Sequence, residues 1–401
     1  MHLIKKEEIK NILEYRKKEE IESESIVREI IEDIKKYGDE KIIYYTKKYD
    51  KAEINNISLN EKELKESFKS IPEEMKDVIS RISKRIRKYH NKQKIKEFSL
   101  KEVGLKISFK VKPLDFVGVY IPAGQNPLIS TVLMSVIPAQ CAGVKKIIAC
   151  SPPSYNNEIH PYISGTLYSL GIKDVFRIGG AQAIAAMAYG TETIPKVEKI
   201  VGPGNIYVNT AKKLVSESAG IDLLAGPSEL VVISDEKGNP EFISADLNAQ
   251  TEHRNGFGFL ITTSKSLGEK ISENVENGWW IKVKDVKEAL EVNNIICPEH
   301  LQIILKDQHK IIENIKAGAI FIGNYSPAAA GDYFMGPSHI LPTSGRACFE
   351  SGLSVFSFLR TFAVMEGGKD FFKKYGCLGE YIADREGLNN HKFSLQKRRK
   401  N

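Results

Sequence analysis

The chain is poor in the residues that carry several common chemistries. It has five cysteines in 401 residues: Cys141, Cys150, Cys297, Cys348 and Cys377. None form a C-x-x-C pair and the count is odd, which argues against a disulfide framework and against a thiolate zinc site. Any bound metal must then use His, Asp, Glu or Gln. No apolar run approaches the roughly 18 residues of a membrane span. The opening stretch, MHLIKKEEIKNILEYRKKEE, is charged and helix-like. It lacks the apolar core and small-residue cleavage site of a secretory signal. A cytoplasmic protein without a membrane partner is expected. Charge of one sign is also scarce. The net charge is +7, the lysines are scattered among glutamates, and only the terminal QKRRKN clusters. No basic stripe with interleaved aromatics is visible, so no nucleic-acid partner is expected. Neither G-x-G-x-x-G nor H-E-x-x-H occurs.

What remains is an ordinary globular composition, long enough for two or three domains. Residues 6–94 read as helices: Ile26, Ile30, Ile31 and Ile34 share a face, and Gly38 and Asp39 mark a stop and a restart. Residues 97–111 alternate as a strand. From FVGVYIP onward, strand-like and helix-like segments alternate through GIDLLAG. A second alternating series runs from ELVVIS to AGAIFIG. Such alternation predicts parallel sheets covered by helices. From about residue 351 the pattern predicts a helical tail.

Four glycine-rich turns follow strands: YIPAGQNP, RIGGAQA, VGPGN and LAGPSE. In open α/β sheets ligands lie against such turns and the helix starts behind them. A second set of segments carries titratable groups. In NPEFISADLNAQTEH, Asn239 and Pro240 open a helix on which Gln250 occupies an apolar stripe and His253 follows three residues on. CPEH places Glu299 beside His300. AAAGDYFMGPSHILPTSG, read as a loop, brings Asp332 and His339, and DREGLNNHK brings Glu386 and His391. Two imidazoles with an Asp and a Gln oxygen suit zinc. Glu299 and His300 then remain as acid–base groups. A zinc hydrolase stays open as an alternative, although it gives the glycine turns no role.

The motifs VGVYIPAG, IGGAQAIAAMAYGTETIPKVEKIVGPGNIYVNTAKK, AGPSEL, AQTEH, CPEHLQI, GDYFMGPSHILPT and REGLNNHK resemble those of the histidinol dehydrogenase family. The resemblance runs through nearly the whole chain. It implies an α/β fold of two tandem incomplete Rossmann-like domains with N-terminal helices and a C-terminal helical tail. The implied boundaries are a helical segment 1–20, one domain from 21–119 with 228–350, a second at 120–227, and a tail at 351–401. It implies NAD-dependent, zinc-requiring oxidation of L-histidinol to L-histidine through the aldehyde. Gln250, His253, Asp332 and His391 match the zinc ligands, and Glu299 and His300 the catalytic pair. Tyr120, Gln182 and Asn205 match NAD contacts. Ser228, His339 and Glu386 match substrate contacts, joined by Gln250, His253, His300, Asp332 and His391. It further implies a homodimer in which each tail completes the partner's site. Thr251 departs from the family's usual alanine between the ligands.

Overall fold

The computed structural model describes residues 1–15, 23–123, 126–224, 226–252 and 256–400. The chain opens with β1 (His2–Leu3) and α1 (Ile9–Tyr15), followed by α2 (Ser23–Tyr37), α3 (Asp39–Tyr45), α4 (Glu61–Ser70) and α5 (Glu73–His90). A hairpin of β2 (Phe98–Glu102) and β3 (Leu105–Pro113) comes next. The first alternating series is β4 (Phe116–Tyr120), α6 (Ile129–Ala142), β5 (Lys146–Ser151), α7 (Pro161–Ser169), β6 (Asp174–Arg177), α8 (Gly180–Tyr189), β7 (Lys199–Val201), α9 (Ile206–Val215) and β8 (Gly220–Ile221). The second is β9 (Glu229–Ser234), α10 (Pro240–Thr251), β10 (Phe257–Thr262), α11 (Lys265–Asn274), β11 (Trp279–Lys282), α12 (Val286–Ile296), β12 (His300–Ile304), β13 (Ala319–Ile322) and α13 (Ala328–Tyr333). The chain ends in β14 (Leu359–Gly367), α14 (Lys369–Arg385) and α15 (Asn389–Lys400).

Two compact units result. One comprises Met1–Gln93 with Leu114–Phe358, the other Lys94–Pro113 with Leu359–Asn401. The larger unit holds two parallel sheets. Their orders are β6-β5-β4-β7-β8 and β1-β11-β10-β9-β12-β13. Each series starts at a central strand, fills one side, then crosses to the other. The reversal falls between β4 and β7 in one sheet and between β9 and β12 in the other. The twofold use of one winding order is a topological repeat that the side chains do not betray.

Strand β9 shows why these sheets lie inside. Leu230, Val231, Val232 and Ile233 are all buried. Val231 and Ile233 enter one apolar cluster, Leu230 and Val232 another. Successive side chains alternate faces, and helices cover both faces of a parallel sheet, so a continuous apolar run is required. Each fully buried isoleucine or valine contributes about 1.5–3 kcal/mol.

The helices of residues 23–90 belong with the five-stranded sheet. Helix α2 packs on α8 and α9, α4 on α7, and α5 on α6. Ile30, Ile34 and Ile42 share a cluster with Ile184, Ala185 and Val208. The family resemblance had implied one domain from residues 21–119 with 228–350, which this packing does not follow. Periodicity reveals a helix's apolar face but not which sheet will cover it. In the smaller unit β2, β3 and β14 form an antiparallel sheet. The tail is thus helical only from Lys369, after a strand. Among the described residues no helix is long and apolar enough to cross a membrane.

Candidate active site

Helix α12 ends at Cys297, which adopts a left-handed conformation with φ 47°. Its N–H still bonds to the Asn293 carbonyl at 2.7 Å. Pro298 follows and cannot extend the helix. The chain turns straight into β12, with Glu299 and His300 at its head. Gly318 fits beside this turn because a Cβ there would stand 2.7 Å from the Glu299 carbonyl oxygen. The surroundings of Cys297 favour the thiol over the thiolate. Its thiol donates to the Asn294 carbonyl, and burial, with Cys348 next, pushes its pKa up to about 11.

Strands β9 and β12 are neighbours, and their heads carry Glu229 and Glu299. Each carboxylate takes the other's backbone N–H: Glu229 N donates to Glu299 Oε2 at 2.9 Å, and Glu299 N to Glu229 Oε2 at 3.2 Å. Ser228 Oγ donates to the same Glu299 oxygen at 2.7 Å, and Ser344 N to Glu229 Oε1 at 3.0 Å. This reciprocal clasp fixes both buried carboxylates. Charge-assisted bonds of this kind are roughly twice as strong as neutral ones.

His300 Nδ1 lies 3.2 Å from the Glu229 carbonyl oxygen. A carbonyl only accepts, so Nδ1 carries a proton, and Nε2 is the basic nitrogen of the neutral ring. Nε2 faces Asp332 Oδ1 at 3.4 Å, while Glu299 Oε2 lies 3.5 Å from Nδ1. Burial alone would lower the His300 pKa. The two carboxylates and the Glu229 carbonyl outweigh it and raise the value to about 9. The ring borders a cavity of 590 Å³ also lined by Tyr89, His90, Asp332, His339 and Phe356. That volume suits a small metabolite.

Asp332 sits in the last turn of α13, a short helix where the sequence read as a loop. Its carbonyl accepts from His339 Nδ1 at 2.9 Å, and His339 Nε2 is 3.4 Å from Thr131 Oγ1. Burial holds the His339 pKa below the usual imidazole value, against the nearby Asp332. Asn239 caps α10 by accepting from Glu241 and Phe242. Gln250 near its end is buried, and its Nε2 has no hydrogen-bond partner among the described residues. His253 lies outside the described residues. Glu386 and His391 belong to the smaller unit, at the end of α14 and in α15, and both are exposed. The larger unit thus gathers Ser228, Glu299, His300, Asp332 and His339. Among the described residues no three His, Cys, Asp or Glu side chains suffice to hold a metal. The Gln250 side-chain oxygen and the Asp332 carboxylate nevertheless fit, as donor types, the oxygen half of an N/O ligand set.

The other sequence-predicted residues stand at the reversal point of the five-stranded sheet, where open α/β sheets take ligands. Tyr120 ends β4, and its hydroxyl accepts from Gly180 N at 3.1 Å. Gln182 is buried at the start of α8, and Asn205 caps α9 by accepting from Val208 N. Gly202, at φ 120°, leaves no room for a Cβ, which would stand 2.1 Å from the Tyr120 carbonyl oxygen. A fully buried ion pair grips this glycine. Asp222 accepts from Gly202 N at 2.8 Å, and Lys212 donates to the Gly202 and Leu223 carbonyls.

Asp50 enters this region from the helical turn after α3. Gln182 Nε2 donates to it at 3.4 Å, and burial raises its pKa to about 6. A raised carboxyl pKa means that the folded state resists the charge. The penalty is full above about 6, fades as pH falls, and vanishes below the unfolded value near 4. Asp50→Asn should therefore stabilise the fold at pH 8 by on the order of 2 kcal/mol, with no gain near pH 4. Thermal melts at the two pH values would show it, and an equal effect at both would refute it.

Comparison with known proteins places the chain in a family. The profile of the Histidinol dehydrogenase family matches residues 13–399. The chain belongs to the histidinol dehydrogenase family. Curated histidinol dehydrogenases of Clostridium acetobutylicum and Aquifex aeolicus are 39% and 40% identical over 402 residues, covering 95% of this chain and 93% of each relative. The crystal structure of histidinol dehydrogenase from Elizabethkingia anophelis matches with a TM-score of 0.95 at 35% identity, over 100% of this chain and 97% of that one. Membership makes the chain an oxidoreductase of histidine biosynthesis.

Within this histidinol dehydrogenase fold, sequence reasoning missed Glu229, Lys212, Asp222 and Asp50. Glu229 stands in AGPSEL, at the head of the strand-like ELVVIS, where nothing singles it out. A lysine and an aspartate ten residues apart on a helix and a turn give no periodic signal. Asp50 lies within residues 6–94, read only as helices, where nothing singles it out.

Proposed function

We propose that the chain oxidises L-histidinol to L-histidine through L-histidinaldehyde, in the cytoplasm, with NAD and zinc as cofactors. The observation that carries the reading is the orientation of His300: Nδ1 is tied to the Glu229 carbonyl and Nε2 faces Asp332. Oxidising an alcohol requires a base at the hydroxyl proton, and Nε2 is that base. The aldehyde must then add water before it can lose a second hydride. With the Cys297 thiol tied to the Asn294 carbonyl, His300 again takes the proton, and the Glu299 carboxylate balances the charge that the ring acquires.

Gln250, His253, Asp332 and His391 would hold the zinc; Tyr120, Gln182 and Asn205 would contact the dinucleotide. When bound, zinc supplies a fixed positive charge for orienting the substrate, and the dinucleotide accepts a hydride in each oxidation. Ser228, His339 and Glu386 would hold the substrate, with Ser228 also steering Glu299. Glu386 and His391 would come from a second copy of the chain. The smaller unit supports a homodimer: Leu100, Met365, Leu378, Tyr381 and Ile382 are all exposed on it.

Purified protein given histidinol and NAD⁺ should form two NADH per histidinol consumed. Metal analysis should find zinc, and chelation should remove both the zinc and the turnover. Hydride transfer by metal-free protein would refute the metal assignment, and histidinol hydrolysis without NADH would favour a zinc hydrolase.

A further inference from the structure

We propose that Asp50 selects NAD over NADP, by accepting a hydroxyl of the adenosine ribose and repelling a 2′-phosphate. The inference rests on the reading of the five-stranded sheet as the dinucleotide site.

In doubly wound sheets, the acid that binds the ribose stands at the end of the strand beside the central one. Here that strand is β5, which ends at Ser151 and is followed by Pro152 and Pro153, none of them acidic. The one acid of the following connection, Glu158, is bound to Arg177. Asp50 fills the vacancy from outside the sheet. An ideal Cβ on Gly179 would lie 2.6 Å from the Pro152 Cβ and 3.0 Å from Asp50 Oδ1. The carboxylate is therefore beside the ends of both β5 and β6, against a glycine whose lack of a side chain leaves it room.

The surroundings of Asp50 are those of a group kept for a ligand. Among the described residues no lysine or arginine pairs with it, and its hydrogen bond from Gln182 is long. The fold tolerates a charge that burial disfavours, as sites do when function opposes stability.

Charge also sorts the turns around the cleft. A carboxylate at the start of α8 repels phosphate, so the RIGG turn suits ribose rather than pyrophosphate. The first turns of α6 and α9 hold no acidic residue. Asp222, behind the VGPGN turn, is neutralised by Lys212. Those two helix starts are left for the pyrophosphate.

Steady-state kinetics with histidinol, on the full-length wild type, Asp50→Asn and Asp50→Ser, decide the matter. The wild type should prefer NAD over NADP by about 100-fold or more in kcat/KM, as like-charge repulsion at a half-buried site demands. Both variants should shrink that preference to about tenfold or less, mainly through KM. A purely structural role for Asp50 would weaken both cofactors alike and leave their ratio standing, which would overturn the inference. One arm needs no substitution: NAD lacking the adenosine 2′-hydroxyl should show about a tenfold higher KM with the wild type. An unchanged KM, or a wild type that uses NADP as readily as NAD, would also overturn it. A wild type that reduces neither cofactor would instead overturn the reading of the sheet, and the inference with it.

Discussion

Glu299→Gln should slow oxidation of histidinaldehyde by about 10²–10⁴, the usual contribution of an acid–base group, while the alcohol step loses about tenfold or less. The substitution is clean. Both bonds that hold the side chain, from Ser228 Oγ and Glu229 N, end on one oxygen, Oε2. The glutamine oxygen can take both, so the frame survives and only the charge disappears. His300 remains to accept the alcohol proton. The charge matters most where water must be activated. A second signature follows from sign. The Glu299 carboxylate helps to raise the His300 pKa. A base works only when neutral, so the rate falls with acid below that pKa. Removing the carboxylate should move the limb of the rate profile to lower pH. Assays started from histidinol and from histidinaldehyde separate the steps. Equal losses on both, with an unmoved pH limb, would rule out this division of labour.

Mixing two inactive variants should restore activity. His300→Asn removes the base of the larger unit, and His391→Asn removes the proposed ligand of the tail. Each alone is expected to lose nearly all turnover. Refolded together in equal amounts, they pair at random and about half of the dimers are mixed. If tails serve the neighbouring chain, one site of each mixed dimer collects both defects and the other collects none. About one quarter of all sites should then return, after the parents' residual rates are subtracted. If each tail serves its own chain, every site keeps one defect. A mixture that stays inactive despite confirmed mixed dimers would falsify the shared site.

The two alternating series were legible because buried parallel strands must be apolar at every position, as in ELVVIS, and glycine punctuates their ends. The proposed acid–base pair drew notice because Pro298 precedes two adjacent titratable residues, and the family resemblance supplied its role. Other features left little trace. Strand β14 pairs with β3, some 250 residues earlier in sequence, and LRTFAVMEG does not announce a partner so distant. The six-residue α13 is set among Gly and Pro, whose local preference predicts a loop. Asp50 and Glu229 are ordinary charged residues at element ends. Their burial is a property of the packing, which periodicity does not encode.

The clasp between Glu229 and Glu299 joins residues 70 positions apart. Because side chains alternate along a strand, sliding β12 by one residue against β9 would turn His300 to the opposite face and part the two carboxylates. With His300 as the proposed base, a mispaired arrangement of these strands would not be expected to turn over substrate. Selection for growth without supplied histidine therefore also polices strand alignment in the six-stranded sheet, and a survivor from a mutagenised library carries evidence of correct pairing there. The proposed acid–base pair would then serve as the sheet's own proofreading mark.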